Sequence, residues 1–300
     1  MKNNEKFIKN FELDEAAVQL LKALEKEDSR IKDFLTRSYK GLPVSPEMEE
    51  VAYNYFITHS LFTAATVANP GSSVITEFLY EGNSSPFPID NYFLHAKAGK
   101  AVKARLIAIE KEVPDIIEEY RSKGNVLICN LGSGPGRDII NILYHYRNAS
   151  NVRAIHIDKD KVALERGKRI AKNKRVSHLI EFVQGNFLKY NPPKKFDILL
   201  LIGILCPLEI ETCVNCLRMI KKLLKEDGCL IAGNAAKKMF REDPFTYFLM
   251  ARIGNWKLVF KNVEELKQIF REGGYTWKGY FTDSYGFHIM GMGTPITSQT

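Results

Sequence analysis

The sequence lacks any apolar run that is long enough to cross a membrane. The longest strongly apolar stretch, Ile198 to Leu205, has eight residues, whereas a membrane-spanning helix needs roughly 20. The opening residues, MKNNEKFIKNFELDE, also lack the apolar centre of a secretory signal peptide. We therefore expect a cytoplasmic protein without a membrane span, in which the apolar stretch is a strand buried on both faces.

Cysteine is scarce, with five residues among 300. An odd number of cysteines in a protein expected in the cytoplasm argues against a disulfide framework. Cys213 and Cys216 form a C-x-x-C pair, but they lie in a segment with a helical pattern and no second pair accompanies them. The sequence therefore predicts small apolar helix residues at these positions, and no metal site.

Charge of one sign is not concentrated in any segment, although the formal net charge is +8. Such a charge can favour an anionic partner, nucleic acid included. The lysines and arginines are spread along the chain and are mostly interleaved with acids. A nucleic-acid partner is therefore disfavoured and a small-molecule acceptor is expected, while the oligomeric state is not indicated.

Two regions of different pattern divide the chain, and the first covers residues 1–122. It shows helical periodicity without strong strand signals. Helices are predicted to follow Asp14 as an N-cap, and to cover 49–67 and 91–111, with Pro114 opening a further short helix. We expect this region to be a helical cap over an active site.

The second region, residues 123–300, alternates between strand, turn and helix. The predicted strands are 126–130, 152–158, 180–184, 197–202, 229–233, 277–282 and 287–292. The last two strands are joined by a short turn, which implies an antiparallel pair. A helix is predicted over 209–225. This order predicts an α/β fold with a doubly wound, Rossmann-like, seven-stranded mixed sheet.

A glycine-rich turn follows the first predicted strand, in the segment LGSGPGRD. Gly132, Gly134 and Gly136 would let the backbone approach a ligand closely, and the next helix would present free N–H groups. A dinucleotide fingerprint would need glycine at position 137, where this chain has Arg137. Asp158 ends the second strand, where its carboxylate can accept hydrogen bonds from both hydroxyls of a ribose.

The chain from about 124 to 292 resembles the class I S-adenosylmethionine-dependent methyltransferases. The matching segments, in chain order, are NVLICNLGSGPGRD, AIHIDKDKVALERG, IEFVQGNF, KKFDILLLIG and LKEDGCLIAGN. The resemblance implies methyl transfer from S-adenosylmethionine, with S-adenosylhomocysteine as the product. It identifies residues 123–300 as the cofactor-binding domain, with a lid insertion at about 234–260.

The resemblance also implies roles for individual residues. The glycine loop would hold the methionine portion of the cofactor, and Asp158 would hold the ribose. Two residues would lie near the sulfonium, namely Ile202 and Gly203. Three would surround the adenine, namely Lys159, Asn186 and Phe187.

Two positions depart from the family pattern. The acid that usually stands two residues before the first glycine is replaced by Asn130, and the aspartate of the adenine-side loop by Asn186. An amide oxygen can still accept a hydrogen bond. Each change nevertheless removes a negative charge near a cationic cofactor. We therefore expect both residues to contact the cofactor, and we expect the protein to bind it with a modest affinity.

The segment after the fifth strand partly resembles a bacterial subgroup named for 3-hydroxypalmitic acid methyl ester biosynthesis. The shared phrases are Gly233-Asn234, Asn255-Trp256-Lys257-Leu258-Val259-Phe260 and Glu264-Glu265-Leu266. This resemblance implies methylation of a small carboxylic acid, such as a hydroxy fatty acid or a similar amphipathic acid. A carboxylate acceptor needs no catalytic base, because it is already deprotonated.

Three alternatives stay open at this point. The phrases GSGP and FDILLLIGIL resemble nicotianamine-synthase-like enzymes, which transfer the aminocarboxypropyl arm of the same cofactor. A nucleic-acid methyltransferase would show a contiguous basic groove beside the cofactor. A protein that binds the cofactor without transfer would lack an acceptor cavity. An enclosed pocket would favour the small acceptor, and its expected lining is Phe240, Phe245, Phe248 and Met250.

Candidate catalytic side chains follow from the expected cap and lid. His95 and Tyr92 lie in the segment FLHAKAGKAVKARL, which is expected to cover the cofactor, and Tyr247 lies in the lid insertion. Each could face the transferred methyl group. His288, in the last predicted strand, is expected to be structural.

Overall fold

The computed structural model describes residues 13–296, so the opening segment used for the signal-peptide expectation lies largely outside the described residues. The helices are α1 (Glu15–Glu27), α2 (Ser29–Tyr39), α3 (Pro46–Thr58), α4 (Leu61–Ala68), α5 (Ser73–Glu81), α6 (Pro88–His95), α7 (Lys97–Arg121), α8 (Arg137–His145), α9 (Lys161–Asn173), α10 (Ile210–Ile220), α11 (Lys237–Glu242), α12 (Pro244–Arg252) and α13 (Val263–Glu272). The strands are β1 (Val126–Leu131), β2 (Val152–Asp158), β3 (Ile180–Gln184), β4 (Phe196–Leu201), β5 (Leu224–Ala235), β6 (Tyr275–Thr282) and β7 (His288–Pro295). None of the helices in this part of the chain combines the length and the apolar character that crossing a membrane requires.

The chain divides into two compact units. The helical unit contains the residues up to 103 together with 238–258. The sheet unit contains 104–237 and the residues from 259 onward. The segment after β5, which includes α12, therefore groups with the N-terminal helices rather than with the sheet that precedes and follows it in sequence.

The sheet unit is built on a seven-stranded mixed sheet in the order β3-β2-β1-β4-β5-β7-β6. The first five strands are parallel, and β7 pairs antiparallel with both β5 and β6. The predicted α/β fold with a doubly wound, seven-stranded mixed sheet is confirmed. The strand order reverses between β1 and β4, so the carboxyl ends of these two strands form the crevice in which open α/β sheets bind ligands.

Two apolar clusters lie on the two faces of this sheet, because successive side chains of a strand point to opposite faces. One cluster joins Leu199 and Leu201 of β4 to α10 and α13. The other joins Ile198 and Leu200 of the same strand to α7 and α8. Every residue of β4 is buried, as expected for a parallel strand that is covered on both sides.

The helix predicted over 49–67 is wrong as a single element, because the structure has α3 and α4 there. Ser60 caps α4 through its Oγ, which accepts from the Thr63 N–H at 2.9 Å. The fully buried Asp90 accepts from the Ser60 hydroxyl at 2.6 Å and from the N–H groups of Leu61 and Phe62 at 3.0 and 3.1 Å. A carboxylate stabilises the positive end of a helix dipole, so Asp90 from α6 starts a new helix at this point.

The helix predicted over 91–111 is also redistributed. The structure has α6 and then the 25-residue α7, which continues through Pro114 where a new helix was predicted. Proline removes one helical N–H donor. The buried face formed by Ile109, Val113 and Ile117 packs on the sheet on both sides of this position, and this burial keeps the helix continuous.

The boundary predicted between α10 and β5 is wrong by several residues. The helix ends at Ile220 rather than 225, and β5 begins at Leu224 rather than 229. Phe196 of β4 pairs with Leu224, whereas Ile198 pairs with Cys229, so residues 225–228 form an irregularity in the ladder. Burial of Leu224 against the sheet extends the strand past the polar stretch that suggested a turn.

Candidate functional site

The glycine turn lies at the carboxyl end of β1, at the reversal of strand order. Gly132, Gly134 and Gly136 have φ values of +62°, +54° and +71°. This left-handed conformation favours glycine, because a Cβ would be strained there. A Cβ at Gly132 would also overlap the side chain of Ile204, which follows β4. The three glycines are therefore required by the turn itself, and they bring its backbone close to the ends of β1 and β4.

Asp158, at the end of β2, is bonded to this turn. Its Oδ2 accepts from the Gly134 N–H at 2.7 Å, and its Oδ1 accepts from the Asp160 N–H at 2.8 Å. A carboxylate has about four acceptor positions. Each oxygen of Asp158 thus keeps acceptor capacity for another donor, such as a hydroxyl of a ribose. Asp158, which is predicted to bind the ribose, is thus hydrogen-bonded to the glycine turn, which is predicted to hold the methionine portion of the cofactor.

His156 packs against the glycine turn at Gly136. A Cβ at Gly136 would overlap the imidazole ring, and the ring of Phe182 meets it edge-on at a centroid distance of 5.1 Å. His156 has no exposed surface, and neither ring nitrogen has a hydrogen-bond partner. Burial lowers the pKa of His156 to about 3, so the ring stays neutral at physiological pH. The sequence analysis did not single out this residue.

We expect His156 to make the stability of the protein depend on pH. Its pKa is near 6.5 in the unfolded chain and about 3 in the folded one, so the unfolded state binds the additional proton between these values. The free energy of unfolding then falls as the pH falls below about 6.5, by roughly 2 kcal/mol from this residue between pH 7 and pH 5. Urea unfolding at several pH values should show this slope in the wild type and a smaller one in His156→Leu.

A matched control for that measurement is the exposed His145. His145→Gln controls for the removal of a histidine from the protein surface. Equal slopes for the wild type and His156→Leu would contradict the burial of a neutral imidazole under the turn.

Asn130, where the family usually has an acid, is paired with a nearby carboxylate. Its Nδ2 donates to Asp138 Oδ1 at 2.9 Å, and the Ile139 N–H donates to the same oxygen at 2.8 Å. This pairing uses the amide nitrogen and leaves the amide oxygen, Oδ1, as an acceptor. No hydrogen bond within residues 13–296 uses that oxygen. Burial raises the pKa of Asp138 to about 6, although Arg105 and the hydrogen bonds oppose this. An acceptor oxygen and a negative charge are therefore both present beside the turn.

The predicted adenine side is more open. Asn186 is exposed, and its Oδ1 accepts from the Leu188 N–H at 3.0 Å. The Gly185 N–H donates to the Asp158 carbonyl at 2.8 Å, which joins this loop to the end of β2. Lys159 is exposed, and the Phe187 ring lies 3.7 Å from the position of a Cβ at Gly132. The loop thus lies beside the glycine turn, as the resemblance implied.

The end of β4 provides the other wall of the crevice. Gly203 has a φ of +82°, and a Cβ at this position would lie 3.9 Å from the Nη1 atom of Arg105. The Ile202 side chain lies near Gly233 of β5, since a Cβ at that glycine would be 3.4 Å from its Cδ1 atom. The buried guanidinium of Arg105 therefore lies beside Gly203. Sequence reasoning missed Arg105, because nothing in the helical pattern distinguishes it from its basic neighbours.

Two residues of the phrases shared with the 3-hydroxypalmitic acid subgroup, Asn234 and Val259, bond to the buried Lys261. The Nζ atom of Lys261 donates to Asn234 Oδ1 at 3.1 Å and to the carbonyls of Leu205, Leu208 and Val259 at 3.2, 2.8 and 3.0 Å. Lys261 is 1 % exposed. In the other phrase, Glu265 forms a capping box with Asn262. These residues hold β5, the segment after β4 and the start of α13 together, so their shared presence reports on local structure.

The three catalytic candidates belong to the helical unit. His95 is exposed in the last turn of α6, and its Nδ1 lies 2.9 Å from the Asn91 carbonyl. The Tyr92 hydroxyl lies 2.7 Å from Thr246 Oγ1, and burial raises its pKa well above the usual value. Burial also raises the pKa of the half-buried Tyr247. Both phenols are therefore protonated and would not act as bases, while the roles of all three residues stay predictions.

The aromatic residues expected to line an acceptor pocket also belong to the helical unit. Phe245 meets the rings of Tyr39 and Tyr92 edge-on at 5.0 and 5.7 Å and stacks on Phe248 at 5.8 Å. Phe245, Phe248 and Met250 are buried. Within this unit they form an apolar core around α12.

No group of three or more histidine, cysteine, aspartate or glutamate residues is arranged to hold a metal ion within the described residues. The thiols of Cys213 and Cys216 are buried on α10, and burial raises the pKa of Cys216 to about 11. Both are unreactive at neutral pH, because the thiolate is the nucleophile and the metal ligand.

Known structures share the fold over 82–99% of the chain. A possible exported protein of Bordetella parapertussis is 13% identical, with a TM-score of 0.69 over 99% of this chain and 100% of that one. The magnesium protoporphyrin IX methyltransferase of Synechocystis PCC 6803, with bound S-adenosylhomocysteine, is 11% identical, with a TM-score of 0.54 over 82% and 99%. An O-methyltransferase family 2 protein of Planctomyces limnophilus, in complex with apigenin, is 14% identical, with a TM-score of 0.53 over 84% and 71%. At these identities the likeness concerns the fold alone.

The family comparison is more specific. No curated protein sequence matches the chain. The family described as "Methyltransferase domain" matches residues 122–274, just over half of the chain, and this range includes the glycine turn, Asp158 and Gly203. The chain belongs to this methyltransferase domain family and is an S-adenosylmethionine-dependent enzyme.

Proposed function

We propose that the crevice between β1 and β4 binds S-adenosylmethionine and that the enzyme methylates a small amphipathic acid. The proposed cofactor contacts are those of the sequence analysis: Asn130, Gly132, Gly134, Gly136, Asp158, Lys159, Asn186, Phe187, Ile202 and Gly203. The observation that carries this proposal is the Asp158 carboxylate, which is bonded to the Gly134 N–H and retains acceptor capacity for a ribose.

The residues around the turn fit a cationic amino acid portion despite the loss of the usual acid. Asn130 keeps an oxygen acceptor, and Asp138 places a carboxylate 2.9 Å from its amide. The usual negative charge is therefore displaced from β1 to the first turn of α8. This arrangement supports binding of the ammonium group of the cofactor at this position.

When bound, S-adenosylmethionine supplies an electrophilic methyl group on a sulfonium, and transfer mainly requires that an acceptor be close and aligned. The guanidinium of Arg105, beside Gly203, places positive charge where the acceptor would lie. Arginine recognises carboxylates well, since its planar fork matches their two oxygens. These features support the carboxylate of a hydroxy fatty acid, or of a similar amphipathic acid, as the acceptor.

The test is label transfer from methyl-tritiated S-adenosylmethionine to a matched pair of acceptors. We expect label on free 3-hydroxyhexadecanoic acid, released again by mild alkali as expected for a methyl ester. Its preformed methyl ester should take up no label by this route. Transfer to neither compound, nor to shorter or aromatic carboxylic acids, would overturn the proposed acceptor class.

The same reaction mixture distinguishes the alternatives. Transfer of the aminocarboxypropyl arm would leave methylthioadenosine instead of S-adenosylhomocysteine as the product. Label on added RNA or DNA would identify a nucleic-acid acceptor. We propose the cytoplasm as the compartment, because all five cysteines are free and buried, which suits a reducing environment.

A further inference from the structure

A histidine–aspartate pair lies at the start of β7. The Nδ1 atom of His288 is 3.1 Å from Asp283 Oδ2, and the His288 backbone N–H donates to the same oxygen at 2.6 Å. The Tyr285 N–H donates to Asp283 Oδ1 at 2.8 Å. The turn between β6 and β7 therefore fixes the carboxylate, and the carboxylate in turn holds the imidazole.

The opposite nitrogen of this imidazole belongs to a ring that is 4 % exposed. The Nε2 atom of His288 forms no hydrogen bond among the described residues. Both ring nitrogens of His156 are fully buried and lack a hydrogen-bond partner, whereas Nε2 of His288 is not among the fully buried atoms without a partner. With Asp283 accepting at Nδ1, the proton of a neutral ring is on Nδ1, so Nε2 carries the lone pair.

Because β7 runs antiparallel to β5, its first residue lies at the carboxyl edge of the parallel strands. His288 pairs in register with Ala235 at the end of β5. The Ala235 N–H in turn lies 3.3 Å from the Sγ atom of Cys206, three residues after Gly203. His288 therefore lies at the edge of the sheet where the segment after β4 forms the proposed methyl-transfer site.

Electrostatic interactions connect the same residues. Burial lowers the pKa of His288, and the charge of Arg105 lowers it further, against the effect of Asp283. Burial opposes ionisation of Asp283, but the hydrogen bond from the His288 ring and those from the Tyr285 and His288 backbone N–H groups keep the pKa of that carboxyl below its usual value. Arg105 also acts on Asp138 and Cys206. The ring is thus neutral at pH 7, and the charge of Arg105, which lies beside Gly203, favours this neutral form.

We propose that His288 is a general base and that the enzyme has a second activity, the O-methylation of a weakly acidic hydroxyl such as a phenol or enol. This inference rests on the proposed function for its methyl donor, but it concerns a different acceptor group. A carboxylate needs no base, whereas a phenol, with a pKa near that of tyrosine at about 10, does. A nucleophile, a base and a third group that orients the base form the usual catalytic arrangement.

An imidazole is a weak base even when its pKa is unperturbed, and this decides the acceptor class. A base is most effective when the proton it accepts is not much less acidic than its own conjugate acid. Phenols and enols meet this condition far better than simple aliphatic alcohols. In the reaction, the acceptor oxygen bonds to the methyl carbon while its proton moves to Nε2, and the electron pair of the broken carbon–sulfur bond stays on sulfur as S-adenosylhomocysteine forms.

The activity test compares two acceptors in two variants. One acceptor is methyl 4-hydroxycinnamate, which offers a phenol without a carboxylate, and the other is 3-hydroxyhexadecanoic acid. His288→Gln should lower the rate on the phenol by about 100-fold or more, and change the rate on the acid by less than about 3-fold. His145→Gln, at an exposed histidine, should leave both rates unchanged.

A second readout needs no cofactor and no acceptor. Nitrogen-15 NMR of the labelled wild type, with His288 assigned by its loss in His288→Gln, should show a neutral Nδ1–H tautomer at pH 7. Asp283→Asn should shift the ring toward the mixed tautomers of a free imidazole.

The outcomes separate this inference from the proposed function. A phenol rate unaffected by His288→Gln, an equal loss on both acceptors, or an Nε2–H tautomer in the wild type would each overturn the inference. If the acid is not methylated while the phenol is methylated at a rate that depends on His288, the proposed acid acceptor is overturned and the role of His288 as a base is supported.

Discussion

Replacing Asp158 with alanine is expected to weaken the binding of S-adenosylhomocysteine by about 100-fold or more. The carboxylate is proposed to accept hydrogen bonds from two ribose hydroxyls, and each such bond to a charged group contributes about 1.5–3 kcal/mol. Its removal also frees the N–H groups of Gly134 and Asp160, which it holds at 2.7 and 2.8 Å. The measurement is equilibrium dialysis of the labelled ligand against each variant.

Two matched variants separate ligand binding from support of the turn. Asp158→Asn keeps one acceptor oxygen, so the loss of affinity should be smaller than for alanine. Asp160→Ala removes a neighbouring aspartate that caps α9 through Val162 and Ala163, and it should lower stability slightly without a comparable loss of affinity. An unchanged affinity in a folded Asp158→Ala protein would refute the role of this carboxylate.

Replacing Gly136 with alanine is expected to lower the free energy of unfolding by roughly 2–5 kcal/mol. The φ of +71° is unfavourable for a residue with a Cβ, and that Cβ would overlap the buried imidazole of His156. The ring cannot move away easily, because Phe182 packs against it. Urea unfolding, followed by circular dichroism, measures the change.

Gly185 offers the matched control for this substitution. A Cβ there would meet no atom within 4 Å, and its φ is not positive, so Gly185→Ala should be close to neutral. In a double-mutant cycle, His156→Ala should recover the part of the Gly136→Ala effect that comes from the overlap. Additive effects of the two substitutions would show that the imidazole does not restrict this position.

The succession of strands along the chain and the glycine turn at the end of β1 could be predicted from the sequence, because both depend on local patterns. The apolar run of β4 and the glycines with positive φ carry their information within a few residues. The breaks between helices could not be predicted in this way. Asp90 starts α4 from 30 positions away in sequence, and Pro114 is tolerated because α7 packs on the sheet.

The residues around the site show the same difference. Asp158 was identifiable because it ends a strand at a fixed place in the alternating pattern. Arg105, His156 and the pair formed by Asp283 and His288 depend on tertiary contacts between segments that are distant in sequence. His288 was expected to be structural, since a lone histidine in a strand gives no sign of the aspartate that orients it.

The central claim is that the crevice between β1 and β4 binds the methyl donor, and calorimetric titration tests it most directly. S-adenosylmethionine and S-adenosylhomocysteine are titrated separately into the wild-type protein. We expect one site per chain, micromolar affinity for both ligands, and no such signal with free methionine. Absence of binding by either ligand to the folded protein, with and without a carboxylic acid acceptor present, would contradict the account.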